Sequence, residues 1–114
     1  MTTARTFELR TYHSAPGRLD DISARFRDHT MALFAKHGIE VVGFWSSAAL
    51  DDPQTGTLVY VCSYESRAAA DAAWASFQAD PAWHEAKEES ERDGPIVASI
   101  ESLFMEPTDY SPIS

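Results

Sequence analysis

Polar and apolar residues alternate from Thr6 to His13. Phe7, Leu9 and Thr11 fall on one side of an extended chain, and Glu8, Arg10 and Tyr12 on the other, which predicts a strand. Pro16-Gly17 breaks it. From Arg18 to His37 the period lengthens: Leu19, Ile22, Phe26, His29, Leu33 and His37 recur every three or four residues and form one helical stripe. Asp20 and Asp21 occupy its first turn, where the helix dipole favours anions, and Gly38 follows its end as a left-handed cap. A strand is predicted over Glu40–Ser47 and another over Thr57–Tyr64, with a turn at Asp51-Asp52-Pro53-Gln54-Thr55-Gly56 making them an antiparallel hairpin. Ser66 caps a helix over Arg67–Ala79, with Ala70, Ala73, Trp74 and Phe77 inward. Asp80-Pro81 then starts a second, offset helix to about Glu91, and Asp93-Gly94-Pro95 stops it. Ile96–Met105 is the last strand, and the segment from Glu106 to Ser114, with two prolines, is a tail that reaches across a neighbour or hangs free.

The order βαββαβ is the ferredoxin-like arrangement: an α+β domain with a four-stranded antiparallel sheet and helices on one face. Both alternation sets of the strands are apolar, Val59 and Val61 against Leu58, Tyr60 and Tyr64, Val42 and Phe44 against Val41 and Trp45. Two apolar faces need two covers. Helices supply one, and a second copy of the sheet across a two-fold axis is the simplest other, so a homodimer is expected.

Composition narrows the partners. The 114 residues suit one domain, residues 1–114, with a core of about 6–105 and a tail of 106–114. A formal charge of -9 and a pI near 4.7 argue against nucleic acid and against anionic lipid. The single cysteine, Cys62, fits a reducing compartment, and no apolar run approaches the ~20 residues that span a bilayer, so a cytoplasmic location is expected.

Several segments resemble the NIPSNAP family. Phe7-Glu8-Leu9-Arg10-Thr11-Tyr12 with Pro16-Gly17 is similar to its opening signature. His37-Gly38 before Val41-Val42-Gly43-Phe44-Trp45 is similar to its second segment. Tyr64-Glu65-Ser66, the run Arg67 to Ala73 and Asp80-Pro81-Ala82-Trp83 complete the likeness, which spans about residues 6 to 105. The resemblance implies a dimeric α/β barrel and a pocket between sheet and helices. It implies no single reaction, because that superfold carries cofactor-free monooxygenases, isomerases, haem-degrading enzymes and plain binders. Relatives place a polar first-strand side chain in the pocket, at a position that looks equivalent to Arg10.

Candidate chemistry centres on the row Glu8, Arg10, Tyr12, which can bind an oxyanion, hold a carboxylate or move a proton. The row either lines a cleft under the helices, forms an ion pair that only orders the sheet, or lies inside the dimer barrel. His29, on the helical stripe beside Phe26 and Leu33, is the candidate base if it faces the sheet, or else a core histidine with one satisfied hydrogen bond. Trp74, Phe77 and Trp83 above, and Trp45, Tyr60 and Tyr64 on the sheet, can stack on a flat ligand or simply fill the core. No metal is expected: four histidines are scattered, and His84-Glu85 with Glu88 lacks the His-Glu-x-x-His spacing. Haem is disfavoured too, since haem-degrading relatives carry a pattern like aromatic-x-x-Ala-His, and here Trp83-His84-Glu85-Ala86-Lys87 ends in lysine. No cofactor is therefore expected. Cys62, mid-strand, is read as a buried small side chain.

Two functions follow from these residues. One is a cofactor-independent enzyme of isomerase, cyclase, dehydratase or monooxygenase type acting on a small, partly apolar organic substrate by proton transfer. Tyr12 and His29 would handle protons there, while Arg10, oriented by Glu8, would hold an enolate-like anion. The other is a ligand- or partner-binding module without turnover. Convergence of Arg10, Tyr12 and His29 on an open cleft favours the enzyme; a closed Glu8–Arg10 pair counts against it.

Overall fold

The structure, a computed structural model, describes residues 5–47 and 56–114. Its elements run β1 (Thr6–Ser14), α1 (Leu19–Arg25), a π-helical turn (Phe26–Thr30), α2 (Met31–Lys36), β2 (Glu40–Ser46), β3 (Thr57–Tyr64), α3 (Arg67–Ala79), α4 (Pro81–Ser90) and β4 (Val97–Met105). The strands pair antiparallel in the order β2-β3-β1-β4, with both helical segments on one face. This is the ferredoxin-like α+β fold that the two hydrophobic periods predict. The expected turn at Asp51 to Thr55 lies outside the described residues.

Local chemistry sets the element ends. Ser66 Oγ accepts the Ala69 N–H at 3.0 Å and caps α3. Asp80 does the same for α4, accepting the Ala82 N–H at 2.9 Å, with Pro81 in the first turn. The same carboxylate takes Lys36 Nζ at 2.8 Å and His37 Nε2 at 2.7 Å, so the end of α2 is tied to the corner between α3 and α4. These bonds to Lys36, His37 and Ala82 hold the Asp80 carboxyl well below the usual range. Gly38 turns the chain out of α2 at φ +76, a conformation only glycine adopts without strain.

Strand register decides what faces the helices. Leu9 pairs with Val61 and Leu103, while Arg10 pairs with Tyr60 and Ser102. Glu8, Arg10 and Tyr12 therefore point to the helices together with Tyr60, Cys62, Tyr64, Ser102 and Phe104. There they meet Ile22, Phe26, Phe34, Ala70 and Phe77, and this layer is the core. The outer face carries Leu9, Val59, Val61, Leu103 and Trp45; the segment after β4 does not hang free but returns beside this face, where Pro107, Thr108, Ser111 and Ile113 share a hollow with Phe7 and Val61, and Leu103 is left 58% exposed.

Two expectations are corrected here. His29 does not sit on the inward stripe; it is exposed. The π-helical turn Phe26–Thr30 takes up one residue more than an α-turn, so the stripe after Phe26 passes to Thr30 and Phe34, both buried, and His29 swings to solvent. Trp45 is not on the helix side either. It pairs with Val59 on the outer face and is 56% exposed. A bulge between Val41 and Gly43 lets Val41 and Phe44 both pack on the core and sends Trp45 outward, its ring lying over Gly43.

Candidate functional site

The polar row on β1 is the head of a buried network. Glu8, 1% exposed, receives a donor on every side. Oε1 accepts from Tyr64 Oη at 2.7 Å and Trp74 Nε1 at 2.9 Å. Oε2 accepts from Arg10 at 2.9 Å and Ser102 Oγ at 2.5 Å. Burial acts to raise the Glu8 carboxyl, but the bonds from Ser102, Tyr64 and Arg10 outweigh it and hold it below the ordinary glutamate range. A carboxylate so saturated is an anchor, not a base. The donor Tyr64 is in turn pushed well above the ordinary phenol range, by burial first and by its bond to Glu8 next.

Arg10 carries the network onward. Its Nε donates to Tyr60 Oη at 2.8 Å, and its guanidinium lies 4.2 Å from the centre of the Trp74 ring. Tyr60, fully buried, donates to Tyr12 Oη at 3.1 Å, and burial drives its own phenol pKa upward. Burial works against the charge of Arg10, yet Tyr60, Tyr12 and Glu8 together hold its pKa above the usual arginine value. The relay Arg10–Tyr60–Tyr12 ends on a hydroxyl that donates no hydrogen bond among the described residues.

Of the sequence candidates, Glu8, Arg10, Tyr12, Tyr60, Tyr64 and Trp74 are thus brought together. Phe77 is core, packed between Phe34 at 5.1 Å and Trp83 at 4.7 Å. Trp83 continues the aromatic row from Trp74 through Phe77. His29 and Trp45 stand apart from the group. Cys62 lies buried between Tyr60 and Tyr64 in β3, and burial pushes its thiol up to about 12. Two participants escape the sequence reading. Ser102 sits across the sheet from Arg10, and only strand register reveals it. Arg25, 6% exposed, lies with its guanidinium 5.0 Å from the Trp83 ring centre. The available signal for Arg25 was its place three residues after the inward Ile22.

The helices leave part of β4 uncovered: Ile100 and Ser102, on the helix-facing row, are exposed. Behind this edge the Arg10 side chain keeps 15% exposure and Tyr12 keeps 7%. Hollows of about 250 Å³ at Phe26, Met31, Phe44 and Leu58, and of about 290 Å³ between α1 and α4, lie nearby; the second is lined by Arg25 and His29, and neither is lined by Glu8, Arg10, Tyr12, Trp74 or Trp83, so Arg10, Tyr12 and His29 do not converge on one hollow. Glu8 and Arg10 do pair, which removes a proton-abstracting role from Glu8. Among the described residues no three His, Cys, Asp or Glu side chains gather as a metal site requires, and no helix is long and apolar enough to cross a membrane.

Comparison with known proteins now bears on this geometry. The family model described as NIPSNAP matches residues 7–112. A NIPSNAP family protein of unknown function from Agrobacterium tumefaciens is 22% identical, with 97% of this chain and 95% of that one covered at a TM-score of 0.81. A NIPSNAP-like domain protein from Burkholderia xenovorans is 18% identical, with 96% and 90% covered and a TM-score of 0.80. A Chloroflexus aurantiacus protein provisionally named an antibiotic biosynthesis monooxygenase aligns over 97% of this chain and 100% of its own at a TM-score of 0.58 and 12% identity, a likeness of fold alone. Comparison with curated proteins gives no match.

Proposed function

The chain belongs to the NIPSNAP family, and from that premise we propose that it is a homodimeric small-molecule-binding protein whose helix-side cleft polarises an oxygen atom of a partly apolar organic ligand. The observation that carries this is the relay from Arg10 through Tyr60 to Tyr12, which ends on a hydroxyl free to donate. Each donor in the relay orients the next, so Tyr12 is set to hydrogen-bond an incoming carbonyl, phenol or enolate oxygen. Trp74 and Trp83, half-buried, offer ring surface to the ligand's apolar part. The exposed apolar outer face, with Leu103 and Trp45, supports pairing with a second copy.

Turnover in this reading is electrophilic. Tyr12 stabilises or protonates an oxygen that gains charge during isomerisation or dehydration of a ligand whose own acidic C–H or phenol gives its proton to solvent water; oxygenation in the same site takes dioxygen as its oxidant. No side chain stands ready to abstract a proton: Glu8 is saturated and His29 is outside. The closed state of the Glu8 network favours the second reading, a binder without turnover. The test uses acetophenone and benzamide as neutral carbonyl probes in tryptophan-fluorescence titrations. Saturable quenching is expected, weakened at least fivefold in Tyr12→Phe. Absence of saturation, or an unchanged Tyr12→Phe, overturns the reading. Loss of the acetophenone methyl proton signal in D₂O, faster with protein than without, separates an enzyme from a binder.

A further inference from the structure

An arginine cannot shed its charge by losing a proton in a protein, so a buried one needs an anion or a full set of acceptors. Arg10 has both. Arg25 has neither. It makes no ion pair among the described residues, its Nε is buried with no hydrogen-bond partner, and its one side-chain bond is to Ser90 Oγ, at 3.2 Å. Glu91 is near enough to act on it through space but does not bond it. The cost of burial shows in the group itself, since desolvation presses its pKa below the ordinary arginine value.

The surroundings of Arg25 repeat those of Arg10. Each guanidinium lies over an indole, Arg10 over Trp74 at 4.2 Å and Arg25 over Trp83 at 5.0 Å. Phe77 joins the two indoles, 5.5 Å from Trp74 and 4.7 Å from Trp83. One aromatic row therefore carries a cation at each end. Tyr12, which ends the relay, lies near enough to both cations to act on them through space. Toward the helix groove Arg25 shares a hollow with Asp21, Asp28, Glu89 and Asp93, whose charges repel an anion approaching from that side. On its other side it lies over the Trp83 ring, with the Tyr12 and Tyr60 phenols near enough to act on it through space.

We propose that Arg25 is the anion-recognition residue of the cleft and that the ligand is a small organic acid. Its carboxylate takes the Nε–H of Arg25 and the hydroxyl of Tyr12, and its apolar body lies along Trp83 and Trp74. This rests on the cleft reading above and narrows the ligand class from any oxygen-bearing organic molecule to a carboxylic acid.

Benzoate and its uncharged isostere benzamide, titrated against the full-length protein, test it. Benzoate is expected to bind at least tenfold tighter than benzamide in the wild type. Arg25→Met is expected to erase that preference by weakening benzoate far more than benzamide, while Arg25→Lys keeps part of it. In ¹⁵N–¹H spectra of the arginine side chains, the Nε–H signal absent from Arg25→Met is the one expected to move with benzoate. Equal binding of the two probes by the wild type overturns the carboxylate assignment and leaves the cleft standing. A benzoate preference that survives in Arg25→Met overturns the role of Arg25. Failure of both probes to bind takes down the cleft itself, and this proposal with it. The wild-type comparison needs no variant, and Arg25→Lys, which also lacks the Nε–H, assigns the same signal, so poor folding of Arg25→Met does not shelter the proposal.

Discussion

Replacing Glu8 with glutamine tests the electrostatics of the network directly. The carboxylate is 1% exposed and accepts from Arg10, Ser102, Tyr64 and Trp74. Glutamine keeps the shape but offers one carbonyl and one NH₂. If the carbonyl faces Tyr64 and Trp74, the NH₂ opposes Arg10, which can only donate. If it is turned round, Arg10 keeps an acceptor, and Trp74 falls back on Tyr64 Oη, already 2.7 Å from its indole nitrogen. In either orientation Arg10 loses its counter-ion. Removing one partner of a buried pair costs about 3–5 kcal/mol. The amide still accepts one bond and the Arg10 side chain keeps 15% exposure, so about 2–3 kcal/mol is expected. With a urea m-value of about 1.5 kcal/mol/M, the unfolding midpoint falls by about 1.3–2 M at matched protein concentration. Glu8→Gln/Arg10→Met, which removes both charges, is expected to be more stable than Glu8→Gln alone. The pH dependence adds a check of sign. The folded-state carboxyl is depressed, so its contribution is complete at pH 7 and is lost as pH falls below about 4.3 and through the lower folded value. The gap between wild type and Glu8→Gln must therefore narrow in acid. A midpoint within about 0.3 M of wild type, or a gap that widens in acid, refutes a charged Glu8 as the anchor of Arg10.

Three further outcomes follow from other parts of the fold. Asp80→Asn is expected to lower Tm and to flatten the acid limb of the stability profile, because the depressed Asp80 carboxylate stabilises the fold above its unfolded pKa and loses that effect as pH falls through the folded one; thermal melts from pH 7 to 2 check it. Cys62 is expected to resist iodoacetamide in the native protein and to react after urea unfolding, because its thiol is buried and pushed up to about 12; mass spectrometry of alkylated samples reads the difference. Leu103→Asp, on the outer sheet face, is expected to shift the protein from dimer to monomer in sedimentation velocity with its far-UV spectrum unchanged.

Much of the fold is legible in the chain because its signals are local and consistent with one another. The alternation of Thr6–His13, the Ser66 cap and the Asp80-Pro81 start each rest on neighbours within a few residues, and each is realised. The row Glu8, Arg10, Tyr12 is equally local, and its direction, toward the helices, follows once the outer set is seen to be Leu9, Val61 and Leu103. What the row does is not local. Whether Glu8 serves as base or anchor depends on Tyr64, Trp74 and Ser102, which lie 56, 66 and 94 residues away.

The misplaced residues fail for one shared reason: each follows an irregularity of one residue. A strict helical period from Phe26 carries His29 inward, but the π-helical turn resets the phase, and nothing in Phe-Arg-Asp-His-Thr marks it. A strict strand period from Val41 puts Gly43 and Trp45 on the core side, but the bulge after Val41 turns both outward. Arg25 is the counterpart of these errors. Three residues after Ile22, it shares the inward stripe before the phase changes, so the same helical period that misplaces His29 would have placed Arg25 inside, had its charge not suggested the solvent face. A charged residue on a buried stripe conflicts with the pattern around it, and such conflicts concentrate where a protein holds something other than itself. By that argument Arg25, rather than the fully satisfied Glu8, is the side chain whose burial still calls for a ligand.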